Sequence, residues 1–416
     1  MNNPIPLSSI SLSNFDKFAK NMIFKRLSLI TKGSLVINEN EHKYHFGLKD
    51  QSLSAEIYVH HRKFYSEIAF GGSIGAAEAY MLGYWSTNDL TVVIRILLQN
   101  RYVLEGFEGG LAKLTKPLQK IFHWLNRNSY TGSRKNIAAH YDLGNNFFET
   151  WLDEKMMYSC AIFEKSTSSL EEAATLKLER ICQKLQLNKN DHIIEIGSGW
   201  GGFAIYAAKN YDCNVTTTTI SKEQFSEAET RIKAAGLTDK ITLLLEDYRD
   251  LSGAYDKLVS IEMIEAVGYK YYRDYFNKCS SLLKDNGLMV IQAITIADQQ
   301  YKRTIKSVDF IQKYIFPGGC LPSLTDMTNT LTENTDIRIV NVEDIGPHYA
   351  TTLSHWRDRM YENIESIKGM GYSDQFIRMW HYYLCYCEGA FIERAIGDVQ
   401  IIAIKPKNRN DAYLKF

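Results

Sequence analysis

The chain predicts an α/β fold, a doubly wound and largely parallel seven-stranded sheet, with a smaller α+β unit ahead of it. Three observations carry that prediction. Seven short apolar runs alternate with helical patterns from about residue 190 onward, the first run breaks into a glycine cluster before a helix restarts, and 416 residues exceed the usual single-domain size. The change in pattern divides the chain into residues 1–130 and 131–416.

Charge excludes one class of partner. Lysine plus arginine and aspartate plus glutamate number 48 each, so no overall field favours nucleic acid, and a membrane must be met through a local patch or apolar surface. No window of about 18 apolar residues occurs. The stretch Met1 to Ile10 lacks a basic region followed by an apolar one, which predicts a cytoplasmic protein. Seven scattered cysteines, without a CxxC pair or a histidine cluster, indicate neither a disulfide framework nor a metal site.

The first unit reads from β-rich runs at 34–37 and 55–59, followed by helical patterning at 76–81 and 90–98. Segment 111–130 carries Lys113, Lys116, Lys120 and Arg127 among apolar residues, the pattern of a linker helix or a membrane-surface contact. In the second unit the strand candidates are 193–196, 214–220, 241–245, 257–261, 288–296, 337–342 and 399–404. Ligands of such sheets sit at the carboxyl ends of the strands near the switch point. The residues that follow each strand are therefore the ones to read.

After the first strand comes Glu195-Ile196-Gly197-Ser198-Gly199-Trp200-Gly201-Gly202, where glycines supply positive φ and let a ligand approach bare backbone. A dinucleotide fingerprint would read G-x-G-x-x-G with an acid about 20 residues on. Here the acid lies inside the strand, and E-x-G-x-G resembles the first motif of S-adenosylmethionine-dependent methyltransferases. After the second strand, Thr219, Ser221 and Gln224 combine polar groups with a helix-capping pattern. After the third, Asp247 offers a carboxylate to an exocyclic amine and Tyr248 an aromatic face to a purine.

The fourth strand runs into Glu262-Met263-Ile264-Glu265-Ala266-Val267-Gly268, two acids in an apolar run at the cleft. Buried carboxylates need a partner or a raised pKa, so at least one of them is a functional candidate. The fifth strand brings Gln292 to the same rim. Upstream, 139–148 and 156–163 mix aromatic, amide and thiol groups in the manner of a pocket cover, and 315–323 forms a proline- and glycine-bounded loop.

These segments together resemble the cyclopropane-fatty-acyl-phospholipid synthases. The matching residues are His140-Tyr141-Asp142-Leu143-Gly144-Asn145, Tyr158-Ser159-Cys160-Ala161, the glycine motif, Ile220-Ser221-Lys222-Glu223-Gln224, Glu265-Ala266-Val267-Gly268, Lys313-Tyr314-Ile315-Phe316-Pro317-Gly318-Gly319 and Tyr349-Ala350-Thr351-Thr352-Leu353. They run in the family's order from about residue 135 to the C-terminus. The glycine motif is generic to methyltransferases; the others belong to the family. The stretch Ala79 to Trp85 resembles more loosely the lipid-contacting domain of the longer bacterial members.

The resemblance implies a class I methyltransferase (Rossmann-like) sheet with an N-terminal lipid-binding domain. It implies transfer of a methyl group from S-adenosylmethionine to a cis double bond of an unsaturated phospholipid acyl chain, then proton loss and ring closure. An alkene is a poor nucleophile and its adduct is a carbocation, so such a site must exclude water, offer aromatic faces and place one base beside the new methyl. Tyr158, Phe163, Tyr314 and Phe316 are the wall candidates.

The family's base is a bound bicarbonate, and its ligands carry over onto Cys160, Glu265, Gln292, Tyr349 and the main chain of Ile294. Gln292 departs from the histidine of many members; it can donate or accept but cannot become charged. Loss of the proton elsewhere, or later addition of hydride, would leave a methylene or methyl branch instead of a ring. Cofactor contacts carry over onto Tyr158, Ser159, Gly197, Gly199, Thr219, Gln224 and Tyr248, beside Glu195 and Asp247 from the reading of the residues. The resemblance also implies a homodimer, peripheral on the inner face of the cell membrane. A small-molecule N-methyltransferase is the alternative.

Overall fold

The computed structural model describes residues 13–49, 52–109, 136 and 144–411. Segment 111–130 and residues 139–143 lie outside that set. Two compact units emerge: the described parts of Met1–Phe122 with Ser307–Ile315 and Ile364–Ala395, and the described parts of His123–Lys306 with Phe316–Asn363 and Ile396–Phe416.

The first unit holds strands β1 (Ser34–Glu39), β2 (His42–Gly47), β3 (Ser54–Val59) and β4 (Trp85–Thr87) in the order β2-β1-β3-β4. Strand β1 pairs parallel with β3 and antiparallel with β2, and its run Leu35-Val36-Ile37 is buried as a central strand requires. Helices Asn14–Leu27, Lys63–Met81, Leu90–Gln99 and Arg101–Gly109 accompany the sheet, the first opened by a capping box between Ser13 and Asp16. Helix Asp374–Ile392 packs on Leu90–Gln99 and Lys63–Met81 through an apolar face that includes Ile377, Trp380, Leu384 and Phe391. Thr91 Oγ1 donates to Glu388 at 2.8 Å and Arg95 pairs with Glu393 at 2.7 Å. The division is thus discontinuous, unlike a single cut at residue 130, because this late helix finds its apolar partner among the early ones.

The second unit is the seven-stranded sheet. Its strands are β5 (His192–Ile196), β6 (Asn214–Thr218), β7 (Ile241–Leu244), β8 (Tyr255–Ile261), β9 (Leu283–Ile296), β10 (Arg338–Asp344) and β11 (Ile396–Ile404), in the order β10-β11-β9-β8-β5-β6-β7. All seven strand candidates are present; β9 begins earlier than the apolar run alone indicated. Pairs from β7 through β9 are parallel, whereas β11 runs antiparallel between β9 and β10.

Successive residues of β5 serve opposite faces. Ile193 joins a cluster with Leu178, Phe203, Val215 and Val290, and Ile194 joins another with Leu258, Tyr275, Met289 and Ile291. From β5 the chain builds outward to β6 and β7, then crosses to β8 and β9 on the other side. The switch point lies between β5 and β8, where the crevice of such a sheet opens.

Candidate active site

Register aligns the loops that matter. Ile196 pairs with Thr218, Thr218 with Leu244, and Glu195 with Val259, so the turns after β5, β6, β7 and β8 leave one edge of the sheet. The amides of Gly197 and Ser198 both donate to the Thr218 carbonyl, and Thr218 Oγ1 donates to the Glu246 carbonyl at 2.6 Å. Gly197, Gly199 and Gly201 all have positive φ. A Cβ on Gly199 would meet nothing within 4 Å, whereas one on Gly202 would lie 2.5 Å from Met157 Sδ. Gly199 therefore borders open space that a ligand can enter, and Gly202 is a packing glycine.

The other cofactor candidates separate on inspection. Thr219 Oγ1 donates to Gln224 at 2.9 Å and accepts from the Ser221 amide, a buried polar turn on the shared edge. Tyr248 sits edge-on to Tyr275, with the Arg249 guanidinium over its ring. Asp247 is held by an ion pair, with Arg249 Nε and Nη2 donating to its Oδ1 and Oδ2 at 2.8 and 2.7 Å. Glu195 is likewise tied into the sheet, accepting from Thr217 at 2.6 Å. Burial raises its carboxyl to about 7 against the pull of Thr217 and Lys177. Ser159 Oγ accepts from the fully buried Lys177 at 2.8 Å.

Beside the glycine turn lies a cluster of carboxyl groups centred on Glu262. Its Oε1 accepts from the Cys160 amide at 2.8 Å and from Gln292 Nε2 at 2.7 Å, and its Oε2 accepts from the Tyr349 hydroxyl at 2.6 Å. The backbone of Glu262 has φ 49°, a left-handed conformation costing about 1–3 kcal/mol for a residue with a side chain. Its amide, donating to the Gln292 carbonyl at 2.8 Å, helps to hold it there. Burial pushes the Glu262 carboxyl up, while Tyr349, the Cys160 amide, Lys177 and Gln292 draw it back.

Two further acids surround it. Glu265 accepts from the Ile294 amide; its Oε2 is buried with no partner among the described residues, and burial with the nearby Glu262 raises its carboxyl to about 8. Asp398 accepts from Gln292 Nε2 at 3.1 Å, and burial beside Glu262 and Glu265 lifts it far above the carboxylate range. Lys177 is the cation whose charge acts on Glu262 and Asp398. The Cys160 thiol, buried among the same charges, is also pushed well up, and its Sγ reaches the carbonyls of Ala161 and Ile345.

A polar row fixes the central amide. Gln292 on β9 pairs with Gln400 on β11, which pairs with Glu343 on β10. Lys184 Nζ donates to Gln400 Oε1 at 2.6 Å and also binds Glu343, and Gln400 Nε2 donates to Gln292 Oε1 at 2.9 Å.

The sequence-derived set Cys160, Glu265, Gln292, Ile294 and Tyr349 thus comes together, but not around an open anion site. The Tyr349 hydroxyl and Gln292 amide serve Glu262, and the Ile294 amide serves Glu265. Bicarbonate does not fit this donor set as the resemblance assigned it. Glu262 was visible as one of two acids, yet its position at the hub was missed; Lys177, Asp398, Gln400 and Lys184 were not singled out at all.

Of the wall candidates, Tyr158 and Phe316 meet at 6.3 Å, with Phe148, Trp151 and Trp356 around the Tyr158 ring. Phe163 stacks on His355, and Tyr314 belongs to the first unit, where it bonds Glu78. Trp200 is a packing residue, buried against Phe148 with its indole donating to Asn145 at 2.8 Å.

The chain is similar to proteins of one known family. A family model described as mycolic acid cyclopropane synthetase matches residues 128–401. Tuberculostearic acid methyltransferase UfaA1 of Mycobacterium tuberculosis is 37% identical over 338 residues, covering 77% of this chain and 76% of its own. Cyclopropane-fatty-acyl-phospholipid synthase of Escherichia coli K12 is 37% identical over 354 residues, covering 84% and 88%. The crystal structure of mycolic acid cyclopropane synthase CmaA1 complexed with SAH and CTAB superposes with a TM-score of 0.61 at 29% identity, covering 65% of this chain and 98% of that one.

Proposed function

Because the chain belongs to the mycolic acid cyclopropane synthetase family and is a methyltransferase, we propose that it transfers the methyl carbon of S-adenosylmethionine to the cis double bond of an unsaturated phospholipid acyl chain. The observation that carries this reading is the adjacency of a glycine turn bordering open space and a cluster of buried acids. Gly197, Gly199, Thr219, Gln224, Tyr248, Tyr158 and Ser159 are the residues that would hold the donor, which supplies an electrophilic methyl. The aromatic shell of Tyr158, Phe316 and Trp356 offers ring faces to a carbocation and keeps water away.

The product is a cyclopropane in this reading. A methyl branch is the second one, supported by the names of two relatives equally identical to the chain, one a synthase of cyclopropane fatty acyl phospholipid and the other a methyltransferase. The proposal includes peripheral contact with the inner face of the cell membrane and a homodimer. Incubation with methyl-labelled donor and either cis-unsaturated phospholipid vesicles or small amines tests it. Label in the extracted acyl chains supports the reading; label confined to amines overturns it.

A further inference from the structure

We propose that the side-chain carboxylate of Glu262 stands in place of a bound bicarbonate as the base that takes the proton from the newly transferred methyl group. The inference rests on the transfer reading above and names the base within it.

The geometry of the donors is the first support. A carboxylate and a bicarbonate present the same planar pair of oxygens, and Glu262 places that pair among the Cys160 amide, the Gln292 amide and the Tyr349 hydroxyl, at 2.8, 2.7 and 2.6 Å. The Ile294 amide is spent on Glu265, and the Cys160 thiol turns to main-chain carbonyls. A free anion would meet the Glu262 carboxylate, on which the buried cation Lys177 already acts. A second buried negative charge beside it is disfavoured.

Position is the second support. The left-handed backbone at Glu262 turns the chain immediately after β8, at the carboxyl edge of the sheet beside its switch point. The next residue, Met263, packs against the glycine turn, its Cγ 3.2 Å from where a Cβ on Gly197 would lie. The base and the cradle of the methyl donor are neighbours. Oε1 already accepts from two amides, whereas Oε2 accepts from the Tyr349 hydroxyl, which makes Oε2 the less engaged of the two by these donors.

The step balances without a co-reactant. A C–H bond of the added methyl breaks, its electron pair forms the bond to the cationic carbon that closes the ring, and the proton becomes the acid proton of Glu262. The acid returns that proton to water after product leaves.

Two measurements on the intact protein decide the matter. Calorimetric titration of the native chain with sodium bicarbonate is expected to show no binding, and turnover on cis-unsaturated phosphatidylglycerol vesicles to be the same in carbon-dioxide-free and bicarbonate-supplemented buffer. Glu262→Gly, which keeps the left-handed backbone accessible, is expected to lose about a hundredfold in turnover or more, to bind bicarbonate, and to recover turnover when bicarbonate or formate is added. Glu262→Gln, with no base and no opening, is expected to lose turnover without rescue. Bicarbonate binding to the native chain, a native turnover that falls when carbon dioxide is removed, or native-like turnover in Glu262→Gln overturns the proposal. Absence of lipid turnover in the native chain would instead refute the transfer reading, and the bicarbonate titration would still decide whether Glu262 fills the anion's place.

Discussion

Gln400 lies directly opposite Gln292 in the register of β11 and β9, and its Nε2 donates to Gln292 Oε1 at 2.9 Å. An amide can present either end, but Lys184 can only donate, so Gln400 must turn its oxygen to the lysine and its nitrogen to Gln292. Gln292 is then left with its nitrogen toward Glu262. A buried ammonium group sets the polarity of the amide that orients the central carboxylate.

Lys184→Met removes that constraint while Glu343 keeps Arg180. Stability is expected to fall by roughly 1–3 kcal/mol, the cost of a buried acceptor left unpaired. The urea midpoint measures this. The kinetic signature is a lower kcat with the KM for donor unchanged, because Gln292 acts on Glu262 and not on the glycine turn.

Tyr349→Phe deletes the hydroxyl that donates to Glu262 at 2.6 Å and leaves the ring against Trp356. Turnover is expected to drop about tenfold to a hundredfold, the equivalent of roughly 1.5–3 kcal/mol for a hydrogen bond to a charged group. Donor affinity, followed by calorimetry, is expected to stay within twofold. A large loss of affinity would place Tyr349 in the cofactor site instead.

Gly199→Ala and Gly202→Ala separate a ligand cradle from a packing contact. The first adds a methyl facing open space at a positive φ and is expected to cost about 1–2 kcal/mol of stability with a larger proportional loss of donor binding. The second drives a methyl into Met157 Sδ and the Lys155 carbonyl and is expected to lower the melting temperature more. Equal effects of both on stability and binding would contradict the distinction.

Glu195 gives a pH dependence with a definite sign. Its carboxyl is raised from 4.5 to about 7, so the folded chain holds a proton that the unfolded chain has released. The associated stability is fully present below about pH 4.5 and lost as pH rises through about 7, worth roughly 3 kcal/mol over that window. Glu195→Gln does not titrate, and urea midpoints at pH 5 and pH 8 should lie closer together than in the native chain.

Much of this was legible in the sequence because it depends on local pattern. The glycine turn and the seven strands announce themselves through spacing and β-branched runs, and Cys160, Glu265, Gln292 and Tyr349 do meet in space. What stayed hidden depends on pairing across the sheet. Glu262 and Glu265 are three residues apart in one apolar run, and which of them collects the donors is decided by a left-handed residue and by the register of β8 with β9.

Signals for the rest existed. Lys177 and Lys184 both fall on the buried face of helix Leu170–Leu185, and Asp398 and Gln400 alternate inside an apolar central strand. A charge on an apolar stripe implies a buried partner. The partner's identity requires the fold.

Transfer to a lipid alkene followed by loss of a proton from the same carbon is tested most directly with donor carrying a fully deuterated methyl group. Mass spectrometry of acyl chains from cis-unsaturated phosphatidylglycerol vesicles should then show one added carbon that retains two deuterium atoms, the third having left as the proton taken by the base. Retention of all three, or no deuterium in the acyl chain, would contradict the account.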